Sequence, residues 1–307
     1  MKRIAFRFFM VICSIWAISS CKKDKEQIPP VIQLVSVLGN TDDGDTAAIG
    51  QALRFKIKAE GIDVNLTNFT IKIFDGENTK TLVDSGLNSS SFVTEEIFYQ
   101  GVEDEAEWIF TVMDRNRHKS SFSLKIYKDP NSQFGGIYEF PNVVLGYQNN
   151  TEVGQFFLPF MNKVYFSDSA ALFKTYVHNI VYFNYREDGG VELPSPTFSS
   201  PGEDAGLYGE MYIDYYTSLT SWDTLNYTKY DIRADNGVSA EDFENAHNDS
   251  LLIVSYDNVW GKKKYKWATD GLIIPFQTAN GKNGIIKVIK ADTTDSGTIR
   301  FSMKIQR

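Results

Sequence analysis

The chain has 307 residues, 42% of them apolar and including 22 Phe and 16 Tyr, enough for two hydrophobic cores on a prior of ~150 residues per domain. Its formal net charge of −8 argues against nucleic acid as a partner. Both cysteines, Cys13 and Cys21, fall at the start of the chain, so the remainder has no disulfide, cysteine nucleophile or thiolate metal site.

Lys2, Arg3 and Arg7 precede an uncharged run over 8–18, followed by Ser19-Ser20-Cys21, the layout of a signal peptide over 1–20. The run is short of the ~20 residues that a membrane-spanning helix needs. Ile18-Ser19-Ser20-Cys21 resembles the bacterial lipobox, with Ile in place of the commoner Leu. The resemblance implies cleavage before Cys21, with lipid on its thiol and on its freed amine, and two or more acyl chains make such an anchor stable. Removing 1–20 takes away three basic residues and moves the net charge from −8 to −11. Residues 21–30 are charged and then stiff, ending in Pro29-Pro30, and read as a tether. The stretch after Cys21 is similar to that of Bacteroidetes lipoproteins carried to the outer face of the outer membrane, which implies a surface location.

Over 31–128 apolar residues alternate with polar ones. Leu53, Phe55 and Ile57 form one such series, Phe69, Ile71 and Ile73 another, and Trp108, Phe110 and Val112 a third; Phe122, Leu124 and Ile126 close the region. Each series predicts a strand with one buried face, and short strands at this spacing point to an Ig-like β-sandwich. The last pair also resembles the closing hairpin of bacterial Ig-like modules. Asp129-Pro130 and Gly135-Gly136 mark a linker over 129–136.

Residues 137–307 predict a β-rich α+β domain with two short helices. Ser167-Asp168-Ser169 offers cap oxygens ahead of a helix over 170–177, and Ser239 with Asp242 predicts a capping box. Residues 180–185 read as a buried strand, 272–278 and 285–290 as a hairpin, and Ile299, Phe301, Met303 and Ile305 as the inner face of the final strand. Pro275 predicts an edge or a bulge in its strand. Leu145-Gly146-Tyr147-Gln148-Asn149-Asn150, Lys163-Val164-Tyr165, Leu193-Pro194-Ser195-Pro196 and Asn280-Gly281-Lys282 are together similar to uncharacterised Bacteroidetes lipoproteins. That resemblance implies an address and an architecture, and no activity. Five triplets, among them Asp45-Thr46-Ala47 and Asp249-Ser250-Leu251, resemble the O-glycosylation acceptor of that phylum.

Chemistry-bearing residues are sparse. The loop over 40–46 partly resembles a calcium loop but lacks the acidic residue that closes one, so it reads as an acidic hairpin tip. His118, His178 and His247 stand far apart, without the spacing of a zinc site, and no metal is expected. No Gly-x-Ser-x-Gly or phosphate-binding loop is present, so neither catalytic residues nor a cofactor are assigned. A glycosidase with acids on distant strands stays open. Tyr208, Tyr212, Tyr215, Tyr216, Trp222, Tyr227 and Tyr230 crowd among Asp and Asn. Such rings either stack against sugars or cover a β core. The expectation drawn is a lipid-anchored, non-enzymatic surface module binding a glycan or a partner protein, with Tyr212, Tyr215, Tyr216 and Trp222 as candidate ligand residues. A glycoside hydrolase and a purely structural envelope protein are the alternatives.

Overall fold

The computed structural model describes residues 28–203 and 215–307. The predicted signal segment, Cys21, most of the tether, Tyr208 and Tyr212 lie outside the described residues. Contacts divide the chain into two units: 28–43, 54–96 and 106–125 form one, and 44–53, 97–105 and 126–307 the other.

The chain is mainly β. Its first strands are β1 (Val31–Leu34), β2 (Thr46–Ala47), β3 (Ala52–Glu60), β4 (Leu66–Phe74), β5 (Thr79–Ser89), β6 (Ser91–Tyr99), β7 (Glu105–Asp114) and β8 (Lys119–Lys128). They make two sheets, ordered β1-β3-β6 and β2-β8-β7-β4-β5. The alternation read from the sequence sets which side chains meet between them, because successive strand residues point to opposite faces. Phe55 of β3 touches Trp108 and Phe110 of β7 at ring-centroid distances of 5.1 and 5.2 Å, joining the inner faces of the two sheets.

The later strands are β9 (Ile137–Gly146), β10 (Phe156–Leu158), β11 (Lys163–Tyr165), β12 (Asn179–Asp188), β13 (Val191–Ser199), β14 (Thr228–Asp231), β15 (Gly261–Lys262), β16 (Ile273–Thr278), β17 (Asn283–Ala291) and β18 (Thr298–Gln306). A four-stranded sheet runs β11-β10-β12-β13 and a six-stranded sheet runs β15-β14-β16-β17-β18-β9. Between them lies an apolar core, where Phe157, Val181 and Phe198 of the smaller sheet meet Phe276, Ile286 and Phe301 of the larger. The smaller sheet also buries its other face, since Phe156, Leu158, Ile180 and Tyr182 pack under Val177, Leu219 and Trp222. This explains why 180–183 read as an unbroken apolar run rather than an alternating one. Pro275 follows the edge expectation locally: Tyr230↔Phe276 is the last β14–β16 pair, so the missing N–H falls just past it.

The helical segments differ in detail from expectation. Ser239 and Asp242 form the capping box, each side chain accepting the other's backbone N–H at 3.0 Å, at the start of helix Ala240–Asn245. The segment expected over 170–177 is instead an α turn, Ser167–Ala170, running into a 3-10 helix, Ala171–Tyr176. Ser167 and Asp168 lie inside that first turn and do not cap it. A third helix, Ser250–Ser255, has no counterpart in the sequence reading. It is short and keeps Val254 77% exposed, so it lacks the apolar stripe that would have revealed it. Leu252, with Phe243 of the second helix, covers Ile285 on the outer face of the six-stranded sheet.

Candidate functional site

Two grooves in the second unit bring polar and aromatic side chains together. The first lies beside Tyr215. The segment after it turns through a 3-10 helix, Thr217–Ser221, because Leu219 and Trp222 are drawn onto the apolar outer face of the four-stranded sheet. Phe156 meets Tyr216 edge-on at 5.1 Å and Trp222 at 5.7 Å. Of the candidate ligand residues described, Tyr215 and Tyr216 line a cavity and Trp222 does not. Tyr216 is 4% exposed and Trp222 7% exposed, and both belong to the core, since Phe156, Ile180 and Tyr182 would otherwise face water. Burial pushes the Tyr216 hydroxyl well above the ordinary tyrosine range, and it donates to the Val181 carbonyl at 2.6 Å.

Tyr215 is different. It is half-buried, stacks one face on Tyr182 at 5.0 Å, and stands between two cavities of about 680 and 450 Å³. The larger is walled by Gln148, Asn150, Thr151, Gln155, Phe166, Asp168 and Ser218 among others, the smaller by Gln148, Asn184, Tyr185 and Asp295. Amides, hydroxyls, phenols and single carboxylates converge there. Several are already held in place: Asn150 binds the Ser296 and Gly297 carbonyls at 2.8 and 3.2 Å and accepts the Glu152 and Val153 N–H groups. That fixation pre-orients the wall and lowers the entropy lost on binding.

The second groove was not anticipated. A cavity of about 750 Å³ is lined by Glu203, Ile232, Ala234 and the run from Lys262 to Trp267. Backbone bonds between Phe198 and Tyr265 in both directions, at 3.0 and 2.9 Å, carry that run past the end of β13. Asp231 anchors the neighbouring turn. Its buried carboxylate takes the Arg233 guanidinium at 2.6–3.0 Å and the Asp257 N–H at 3.0 Å. Burial works to raise that carboxyl, but these bonds outweigh it and hold it below the usual carboxylate range. Glu203, with its side chain 5% exposed, pairs with Lys264 and accepts the Ser199 hydroxyl at 3.1 Å. The sequence signal was visible as four lysines and two aromatics in six positions of an acidic chain.

The histidines remain apart. His118 closes a turn on Asp114 at 3.2 Å, and His247 lies 3.9 Å from Glu139. His178 is buried, its Nδ1 has no partner among the described residues, and burial lowers its pKa to about 4. No group of three or more His, Cys, Asp or Glu side chains suited to a metal gathers among the described residues. No described helix is long and apolar enough to cross a membrane.

No family model matches the sequence, and no curated protein matches it. Among solved structures it is similar to a DUF4466 family protein from Parabacteroides merdae, with a TM-score of 0.45 at 10% identity over 92% of this chain and 99% of that one. It is also similar to the sporulation control protein Spo0M from Bacillus subtilis, with a TM-score of 0.25 at 10% identity over 56% of this chain and 79% of that one. A β-glucosidase from Listeria innocua in complex with glucose matches with a TM-score of 0.23 at 7% identity, over 32% of this chain and 16% of that one. Likenesses of this degree assign neither family nor activity.

Proposed function

We propose that the chain is a lipid-anchored outer-membrane surface protein whose C-terminal region is a non-enzymatic module for a neutral glycan, seated in the groove beside Tyr215. The observation that carries the reading is the position of Tyr215 between two cavities walled by amides and hydroxyls. A pyranose presents an apolar face to such a ring and hydroxyls to such a wall, the combination of few placed polar groups and aromatic surface that small-ligand sites use. Each cavity beside Tyr215 has a single carboxylate among its described lining residues, Asp168 or Asp295. A hydrolytic pair would need its two carboxyl groups about 5–9.5 Å apart, and release of reducing ends from the bound sugar would reveal it.

A glycan array probed with the full-length chain in detergent tests the reading. Wild type is expected to bind at least one neutral oligosaccharide and to release no reducing ends from it, and Tyr215→Ala is expected to bind it at least tenfold more weakly. Absence of any neutral-sugar binding would leave a partner protein as the ligand. The anchor is tested separately by intact mass: native protein should begin at Cys21 and carry acyl mass, and Cys21→Ser should carry none.

A further inference from the structure

We propose that the cleft formed by Lys262, Lys263, Lys266, Tyr265 and Trp267 is a second binding site, for an anionic saccharide bearing carboxylate or sulfate groups. Four of the chain's 31 basic residues fall within the five positions 262–266, although the whole carries a net charge of −8. Local clustering of one sign in a concave wall focuses potential on an opposite charge. A lysine on an edge strand is otherwise explained as protection against stray strand pairing, which accounts for Lys262 in the two-residue β15. It does not account for Lys263, Lys264 and Lys266, which follow the strand.

The cavity wall is also shaped for more than a bare ion. Its volume, about 750 Å³, falls within the range of small-ligand sites of ~300–1,000 Å³. Glu203 is the one carboxylate among the described lining residues, and it is engaged by Lys264. Trp267 lines the same cavity with φ at 53°, a left-handed backbone that residues other than glycine rarely adopt. Backbone strain at a cavity-lining residue is a feature that proteins retain at binding sites. Tyr265 and Trp267 give the wall ring surface for sugar C–H groups, the Lys266 ammonium lying 5.9 Å from the Trp267 ring centroid, and Lys262 and Lys263 supply counter-charge for carboxylate or sulfate. A membrane surface is flat where this wall is concave.

The experiment measures binding of the full-length chain to polygalacturonate, heparin and neutral dextran, at low and high salt. Binding to polygalacturonate or heparin, with none to dextran at this site, is expected, and it should weaken with salt. The two polymers separate carboxylate from sulfate recognition. Lys262→Ala with Lys263→Ala is expected to weaken that binding about tenfold, and the double arginine variant to restore it. Trp267→Phe should abolish a ligand-induced change in tryptophan fluorescence. Tyr215→Ala should leave this binding intact, so failure here and failure of the neutral-glycan reading are told apart. Equal binding by wild type and the double alanine variant, or binding only to single-stranded DNA or anionic vesicles, overturns the proposal.

Discussion

Gln148 pairs with Phe183 as a neighbouring strand would, its side-chain amide donating to the Phe183 carbonyl at 2.6 Å and its own oxygen accepting the Phe183 N–H at 2.8 Å. On its β10 side, β12 has described strand partners only at Asn179 and Ile180. Tyr216 satisfies the Val181 carbonyl on β12, and Gln148 satisfies both backbone groups of Phe183, so side chains complete the edge that β10 leaves unpaired. The same two residues line the larger cavity beside Tyr215.

Gln148→Ala removes both bonds and leaves a part-buried N–H and C=O without protein partners. A loss of about 1–2 kcal/mol is expected, read as a lower denaturant midpoint with an unchanged slope. A changed slope would mean that β12 no longer folds with the rest.

Trp222 and Tyr215 should separate core from binding face. Trp222→Ala is expected to cost about 3–5 kcal/mol through the cavity it leaves against Phe156. Tyr215→Ala forfeits mainly its stack on Tyr182, about 1 kcal/mol. Thermal unfolding of the two variants checks the order, and a reversed order would return Trp222 to the binding face.

His178 makes stability depend on pH in a defined direction. Its folded pKa of about 4 lies below the ordinary 6.5, so the unfolded chain binds the proton first. Stability from this group is complete above pH 6.5, falls as the pH drops towards about 4, and is gone below it, a change on the order of 3 kcal/mol. His247 is lowered too, by burial first and Lys304 second, and adds to the same limb. Melting temperatures across that window should therefore fall less steeply in His178→Phe than in wild type. Parallel curves would show that His178 does not titrate there.

Much of the strand pattern was legible beforehand, since alternation at Leu53, Phe55 and Ile57 and along Ile299 to Ile305 is a local property of the backbone. The capping box at Ser239 was legible for the same reason, its partners being three residues apart. The candidate site was legible only in part. Tyr215, Tyr216 and Trp222 have similar neighbours in sequence, yet Tyr215 walls both cavities, Tyr216 lines one of them from a core position, and Trp222 is core.

The sequence by itself determined the alternating strands, the capping box, the cysteine-free body and the basic run over 262–266. Each depends on residues close along the chain. Tertiary structure alone decided that β12 is buried on both faces, that Tyr216 and Trp222 cover it, and that Lys262 to Trp267 wall a cleft with Glu203. Those outcomes follow from which faces of distant strands meet, where removing apolar area from water outweighs the local preference of any one ring for the surface.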